Sequence, residues 1–199
     1  MSSQNKVHFG PFEVTDQVFF KTAYSFALVN LKPLLPGHVL VCPLTPHKRL
    51  TDLPQAEVTD LFTTTQLIQK MLARRYFPPA SDSAVATPEA GSFNIAVQDG
   101  ADAGQTVSHV HVHIIPRIPG ETGKDRAGPR DEIYEQMASE EGNVGGALWD
   151  AALGRRPEPD GKFARIEDAM RKARRMEEMV EEARSYQALL KEMGAISQD

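Results

Sequence analysis

Apolar positions recur at two different periods along this 199-residue chain, and the changes of period divide it. From Phe12 to about Leu44, the segments FEVTDQVFFKT, YSFALVNL and HVLVCPL are rich in Val, Phe and Leu and predict strands. They are separated by breaks at Lys32-Pro33 and Leu35-Pro36-Gly37. From Pro54 to about Tyr76 the period becomes helical. Val58, Leu61, Phe62, Thr65, Ile68 and Leu72 recur largely at three- and four-residue steps, and a proline near the start suits a first turn. Two further strands follow, FNIAVQ at 93–98 and VSHVHVHIIP at 107–116. The turn DGADAGQ joins them, with Gly100 and Gly104 tolerating tight backbone angles. A second helix is predicted from Phe163 to Met193. Ile166, Ala169, Ala173, Met176, Val180, Ala183 and Leu190 keep a three/four spacing there, which Gln187 interrupts. The fold class is α+β: an antiparallel sheet of about five strands with helices packed on it.

Three segments lack either period. PPASDSAVATPEAGS, residues 78–92, has three prolines, three serines and four alanines and reads as a flexible surface insertion. RIPGETGKDRAGPRD, residues 117–131, reads as a mobile loop, and 142–161 is similarly broken by glycine and proline.

Composition bounds the rest. At 41% hydrophobic, a chain of this length buries one good core and leaves little for a second full domain. A net charge of −5 and a pI near 5.7 argue against nucleic acid or an acidic membrane surface as partner. Residues 101–161 hold six basic and eleven acidic side chains, which accounts for the whole surplus. No stretch of 18 apolar residues exists, and MSSQNKVHFG lacks a hydrophobic signal region. A single cysteine, Cys42, rules out an internal disulfide and fits a reducing compartment, the cytosol or the nucleus.

The candidate chemistry is concentrated in HVHVHIIPR. His109, His111 and His113 are three of the chain's six histidines. Alternation puts all three on one face of a strand and turns Val110, Val112 and Ile114 to the other. His-x-His can hold zinc, but same-face positions stand about 6.5–7 Å apart. The polar residues near them, Gln98, Gln105, Thr106 and Ser108, are amides and hydroxyls, so no metal ligand is assigned. As mere filling, three titratable rings in strict alternation cost solvation without a compensating reason. Nucleophilic catalysis remains. Imidazole titrates nearest neutrality, and a nitrogen that forms a covalent intermediate splits one hard displacement into two easier ones. The central His111 is the natural nucleophile, while His109 and His113 bond substrate oxygens or fix its tautomer. The preceding AGQTV supplies backbone N–H groups, an amide and a hydroxyl, donors that suit phosphate oxygens. The GxxxxGK[ST] phosphate loop is absent.

QTVSHVHVHIIPR resembles the signature of the histidine-triad family of nucleotide hydrolases and transferases: three histidines alternating with apolar residues. SFALVNLKPLLPGHVLVCPL, VTDLFTTTQ and QDGADAGQTVSHVHVHIIPR resemble its fragile histidine triad branch, the dinucleoside triphosphate hydrolases. The likeness covers roughly residues 18–76 and 93–134. It implies a homodimer that hydrolyses dinucleoside polyphosphates, above all diadenosine triphosphate to AMP and ADP. His111 attacks the α-phosphorus, His113 contacts substrate and His109 supports. Gly104, Gln105, Thr106 and Val107 match the phosphate-contacting loop, and Asn30 and Gln98 match positions that bind ribose and the phosphate region. His38 stands where the family has a histidine beside the triad. No tightly bound cofactor is implied; Mg²⁺ or Mn²⁺ accompanies the phosphates without a dedicated protein site.

The residues also fit plainer roles. Asn30 suits a turn former and His38 a packed histidine; His8 and His47 read as packed or surface histidines, and Cys42 as a small buried hydrophobe. The insertion at 78–92 and residues 136–199 fall outside the likeness, and the segment before Phe12 aligns poorly. Tyr134, in DEIYEQM, resembles a tyrosine tied in this branch to signalling rather than hydrolysis. Residues 1–134 are expected to form the catalytic domain, with 135–199 a C-terminal extension of the same domain. Two rival functions remain: a nucleoside phosphoramidate hydrolase, and a nucleotide sensor whose substrate-bound form is the signal.

Overall fold

The apolar segments pair in the antiparallel manner that short connections permit. In the computed structural model, which describes residues 6–79, 81, 85–118 and 173–197, a small ribbon comes first, β1 (His8–Phe9) with β2 (Phe12–Glu13). A five-stranded antiparallel sheet follows, of β3 (Val18–Lys21), β4 (Ser25–Val29), β5 (Val39–Pro43), β6 (Ser92–Val97) and β7 (Val112–Arg117). Its order is β3-β4-β5-β7-β6, so β5 sits in the middle and β3 and β6 are the edges. Two helices complete the described structure, α1 (Gln55–Tyr76) and α2 (Met176–Glu192). The α+β sheet with packed helices is the architecture the patterning predicts.

Every residue of β4 and β5 is buried, which explains their continuous apolar runs. The register sets Leu28, Leu40, His113 and Ala96 side by side across β4, β5, β7 and β6, on a common face. Helix α1 lies against β4, β5 and β7. Leu61, Thr65, Ile68 and Leu72 are buried as the periodicity requires, joined by Thr64 and Met71. Phe62 instead faces outward, 39% exposed.

Four expectations need correction. The segment 12–22 is two strands, because a 3₁₀ turn at Thr15–Gln17 intervenes. The histidine strand begins at Val112, not at residue 107. Helix α2 starts at Met176, with Arg175 as its N-cap; Ala173 and Arg174 precede it, and Ile166 and Ala169 lie outside the described residues. Its buried stripe is Met179, Ala183, Tyr186 and Leu190, so Gln187 interrupts nothing: it donates to Val18 O instead. These four join the main apolar cluster with the strands and α1. Finally, the stretch 78–92 is not simply a surface insertion. Ala86 packs with Ala73 and Phe77 in a second cluster against Phe93 and Ile118, Pro88–Ala90 form a 3₁₀ turn, and Ser92 opens β6. The loop expected at 117–131 (beyond Ile118), the segment 142–161 and Tyr134 lie outside the described residues.

Candidate active site

His113 sits within β7 opposite Leu40 and Ala96, whereas His109 and His111 lie just ahead of the strand. The backbone explains why. His109 N–H donates to Val107 O at 2.7 Å and Val110 N–H to His47 O at 2.8 Å, so these donors join no strand ladder. The rings nonetheless gather, the centroids of His111 and His113 lying 4.8 Å apart.

Each histidine has a tautomer fixed by its partners, since a backbone N–H can only donate and a carbonyl only accept. Gly10 N–H donates to His109 Nδ1 at 3.0 Å, which puts the His109 proton on Nε2, where it is donated to Pro43 O at 2.8 Å. Both nitrogens of His109 are therefore committed. The ring ties the β1–β2 turn to the end of β5. Gly10 has a φ of +56°, and a Cβ there would stand 2.4 Å from Val107 Cγ1, so only glycine fits.

His111 is oriented by its neighbour's backbone. Its Nδ1–H donates to His109 O at 2.9 Å, which leaves the lone pair on Nε2. Phe9 stands edge-on to the ring at 5.0 Å. Burial pushes the His111 pKa down to about 4, against the smaller upward pull of the bond to His109 O. The ring is neutral at pH 7 and its Nε2 can attack.

His113 takes its tautomer from His38. Leu34 N–H donates to His38 Nδ1 at 3.1 Å, so the His38 proton is on Nε2 and is donated to His113 Nδ1 at 3.0 Å. The proton of His113 is then on Nε2, a buried atom from which no group among the described residues accepts. Burial, with His111 and His38 beside it, holds the His113 pKa well below the usual imidazole range. A buried donor without a partner among the described residues, beside an imidazole lone pair, suits a substrate oxygen. Asn30 completes the group: its amide nitrogen lies 3.3 and 3.4 Å from the two His38 nitrogens and its Oδ1 accepts from Lys32 N–H at 3.0 Å.

The AGQTV segment is anchored to its neighbours through Gln105. Gln105 uses its amide inside the protein: Oε1 accepts from Gly100 N–H at 3.0 Å and Nε2–H donates to Lys48 O at 2.9 Å. Its amide nitrogen carries two N–H groups, so the bond to Lys48 O does not use up its capacity to donate to a phosphate oxygen. Val107 is buried, which leaves its backbone as the part able to meet a ligand. Thr106 is half-buried. Gly104 has a φ of +88°, and a Cβ there would lie 2.6 Å from the amide nitrogen of the buried Gln98. Among the described residues no three His, Cys, Asp or Glu side chains are grouped to hold a metal ion.

Several contributors escape sequence reasoning. Phe9 and Gly10 were legible only as part of HFGPF, where a glycine before a proline signals a turn. His47, read as a packed or surface histidine, is half-buried: it pairs with Glu57 at 2.7 Å, and its carbonyl anchors Val110. His8 is exposed and Cys42 buried in β5, as anticipated. Arg174, from the far end of the chain, binds Asn30 O, and nothing in its sequence surroundings announces this.

The geometry defines a class: a buried imidazole with an unprotonated Nε2 beside a second with a protonated Nε2, on an antiparallel sheet. The chain belongs to the HIT domain family, whose match spans residues 11–120. It is 40% identical over 182 residues to the bis(5'-nucleosyl)-tetraphosphatase [asymmetrical] of Schizosaccharomyces pombe, covering 89% of this chain and 91% of that one. It is 38% identical over 211 aligned residues to the bis(5'-adenosyl)-triphosphatase of Saccharomyces cerevisiae, covering 94% and 92%. Among solved structures, the Plasmodium falciparum diadenosine triphosphate hydrolase in complex with cyclomarin A superposes with a TM-score of 0.59 at 27% identity. That match covers 96% of this chain and 88% of that one.

Proposed function

We infer that this protein hydrolyses dinucleoside polyphosphates, with diadenosine triphosphate cleaved to AMP and ADP. The observation that carries the reading is the pair of opposed tautomers. His111 presents an unprotonated Nε2 while His113 presents a protonated one, each fixed by its own partner. Relatives named for this activity, aligned over most of this chain, support it.

The chemistry follows from that pair. His111 Nε2 attacks the α-phosphorus, a P–N bond forms, and the P–O bond to the β-phosphate breaks with its electron pair leaving on the nucleoside diphosphate. His109 O accepts from Nδ1–H throughout and steadies the positive charge that the ring acquires. His113 Nε2–H donates to an oxygen of the phosphoryl group in flight. Water then attacks the nucleotidyl-histidine, the P–N bond breaks, and the monophosphate departs. A homodimer belongs to the same proposal. Strand β6, an edge of the sheet among the described residues with Ile95 39% exposed, offers a surface to a second copy. The cytoplasm or nucleus is the proposed site of action, in keeping with a lone buried thiol.

The test is to incubate the protein with diadenosine triphosphate, diadenosine tetraphosphate and an adenosine phosphoramidate and to follow nucleotide release. Faster AMP and ADP formation from the triphosphate supports the reading. Preference for the phosphoramidate, or tight binding with no turnover, overturns it.

A further inference from the structure

Arg174 grips the turn that carries His38. Its Nε and Nη2 donate to Asn30 O at 3.1 and 2.5 Å, and its backbone N–H donates to Leu31 O at 3.1 Å. Its third arm, Nη1, donates to Glu182 at 2.6 Å. The other oxygen of Glu182 accepts from Tyr186 O–H at 2.8 Å, so the hydroxyl of Tyr76, 2.7 Å away, is the one that donates to Tyr186. Arg174 and Glu182 are each only 20% exposed. An unbroken series of contacts thus runs from α1 and α2 through Arg174 to Asn30, then to His38 and on to His113.

A residue that merely pinned α2 to the core would need only Glu182 and an apolar stem. Arg174 instead places two donors on the carbonyl of the residue whose amide lies against His38. A planar fork with fixed geometry holds one position of its acceptor, which a flexible ammonium does not. We propose that Arg174 is a positioning residue for the hydrolytic reaction: by fixing the backbone at Asn30 it holds the His38 ring, which in turn keeps the His113 proton on Nε2. The inference rests on His111 and His113 acting as proposed above.

The discriminating variant is Arg174→Met, which keeps the apolar stem and removes the fork. Two readouts are taken on the full-length protein at a temperature where it is folded. One is kcat and KM for diadenosine triphosphate; the other is imidazole ¹⁵N chemical shifts, which report the His38 and His113 tautomers. The inference expects kcat to fall roughly ten- to hundred-fold, as small misplacements of reacting groups do, with the His113 nitrogens shifting towards mixed tautomers. Wild-type kcat and unchanged imidazole shifts overturn it, whatever the melting temperature does. If Arg174→Met does not fold, Arg174→Lys decides. Lysine cannot span both Asn30 O and Glu182 with a fork, so an intermediate kcat is expected, and a folded variant with wild-type kcat and shifts overturns the inference equally. Should the wild-type protein itself fail to turn over, the functional reading falls, while the imidazole shifts still decide the role of Arg174.

Discussion

His111 is a single ring whose two nitrogens meet different surroundings, and that difference sets its chemistry. Replacing it by Asn keeps polarity and bulk, so folding and nucleotide binding should persist while turnover falls by on the order of 10⁴-fold or more. Calorimetric binding beside a release assay checks both halves; a variant with near-normal turnover removes His111 from the covalent step. The low pKa of the ring, about 4, gives a second expectation. Because kcat/KM reports groups of the free enzyme, its acid limb through His111 should lie near pH 4, leaving activity flat from pH 7 to about 5.5. A limb centred at the ordinary 6.5 would show the ring to be solvated. At Gly104, with its φ of +88°, alanine imposes a left-handed conformation costing about 1–2 kcal/mol and displaces the Gln98 amide; an unshifted urea midpoint would remove that argument. The grouping of the three rings was legible because alternation brings them together by simple geometry. His38 and Asn30 were legible only through resemblance, and Gly10 hardly at all, since its role depends on a contact 99 positions away.

At the level of elements, the periodicities placed the sheet and α1 well, because burial of a whole strand or a helix stripe leaves a repeating imprint. They overextended β7. Backbone donors at His109 and Val110 were claimed by Val107 and His47, a competition that side-chain alternation does not record. They also misread α2, where Tyr186 looks polar yet is buried with its hydroxyl satisfied by Tyr76 and Glu182. Leu190, fully buried in the shared cluster, gives the test of that docking. Leu190→Ala should cost about 2–5 kcal/mol, read from urea denaturation. A cost under about 0.5 kcal/mol, the level of surface substitutions, would mean α2 is not an integral part of the core.

Across the whole molecule, stability should follow the titration of the buried triad. His109, His111 and His113 all have their pKa pushed below 6.5, chiefly by burial. The unfolded chain therefore takes up protons below about pH 6.5 that the folded one refuses. Stability from this source is complete above that pH and declines as pH falls towards 4, by up to about 1.4 kcal/mol per pH unit for each histidine. Urea midpoints at pH 7, 6 and 5 should fall in that order, and His111→Asn should make the decline shallower. The fold class and the histidine cluster were legible because local patterns dictate them. The attachment of α2 to the site was not, since it joins positions 144 residues apart. That attachment bears on how the protein is made. Strand β7 ends at Arg117 and α2 begins at Met176, an interval that a ribosome crosses in roughly three to twelve seconds. Throughout it, the chain has its histidine row but not yet the stripe of α2 that packs on β3 and β4. The order of synthesis thus places the histidine row before the residue proposed to position it, and makes the face that α2 covers before α2 itself.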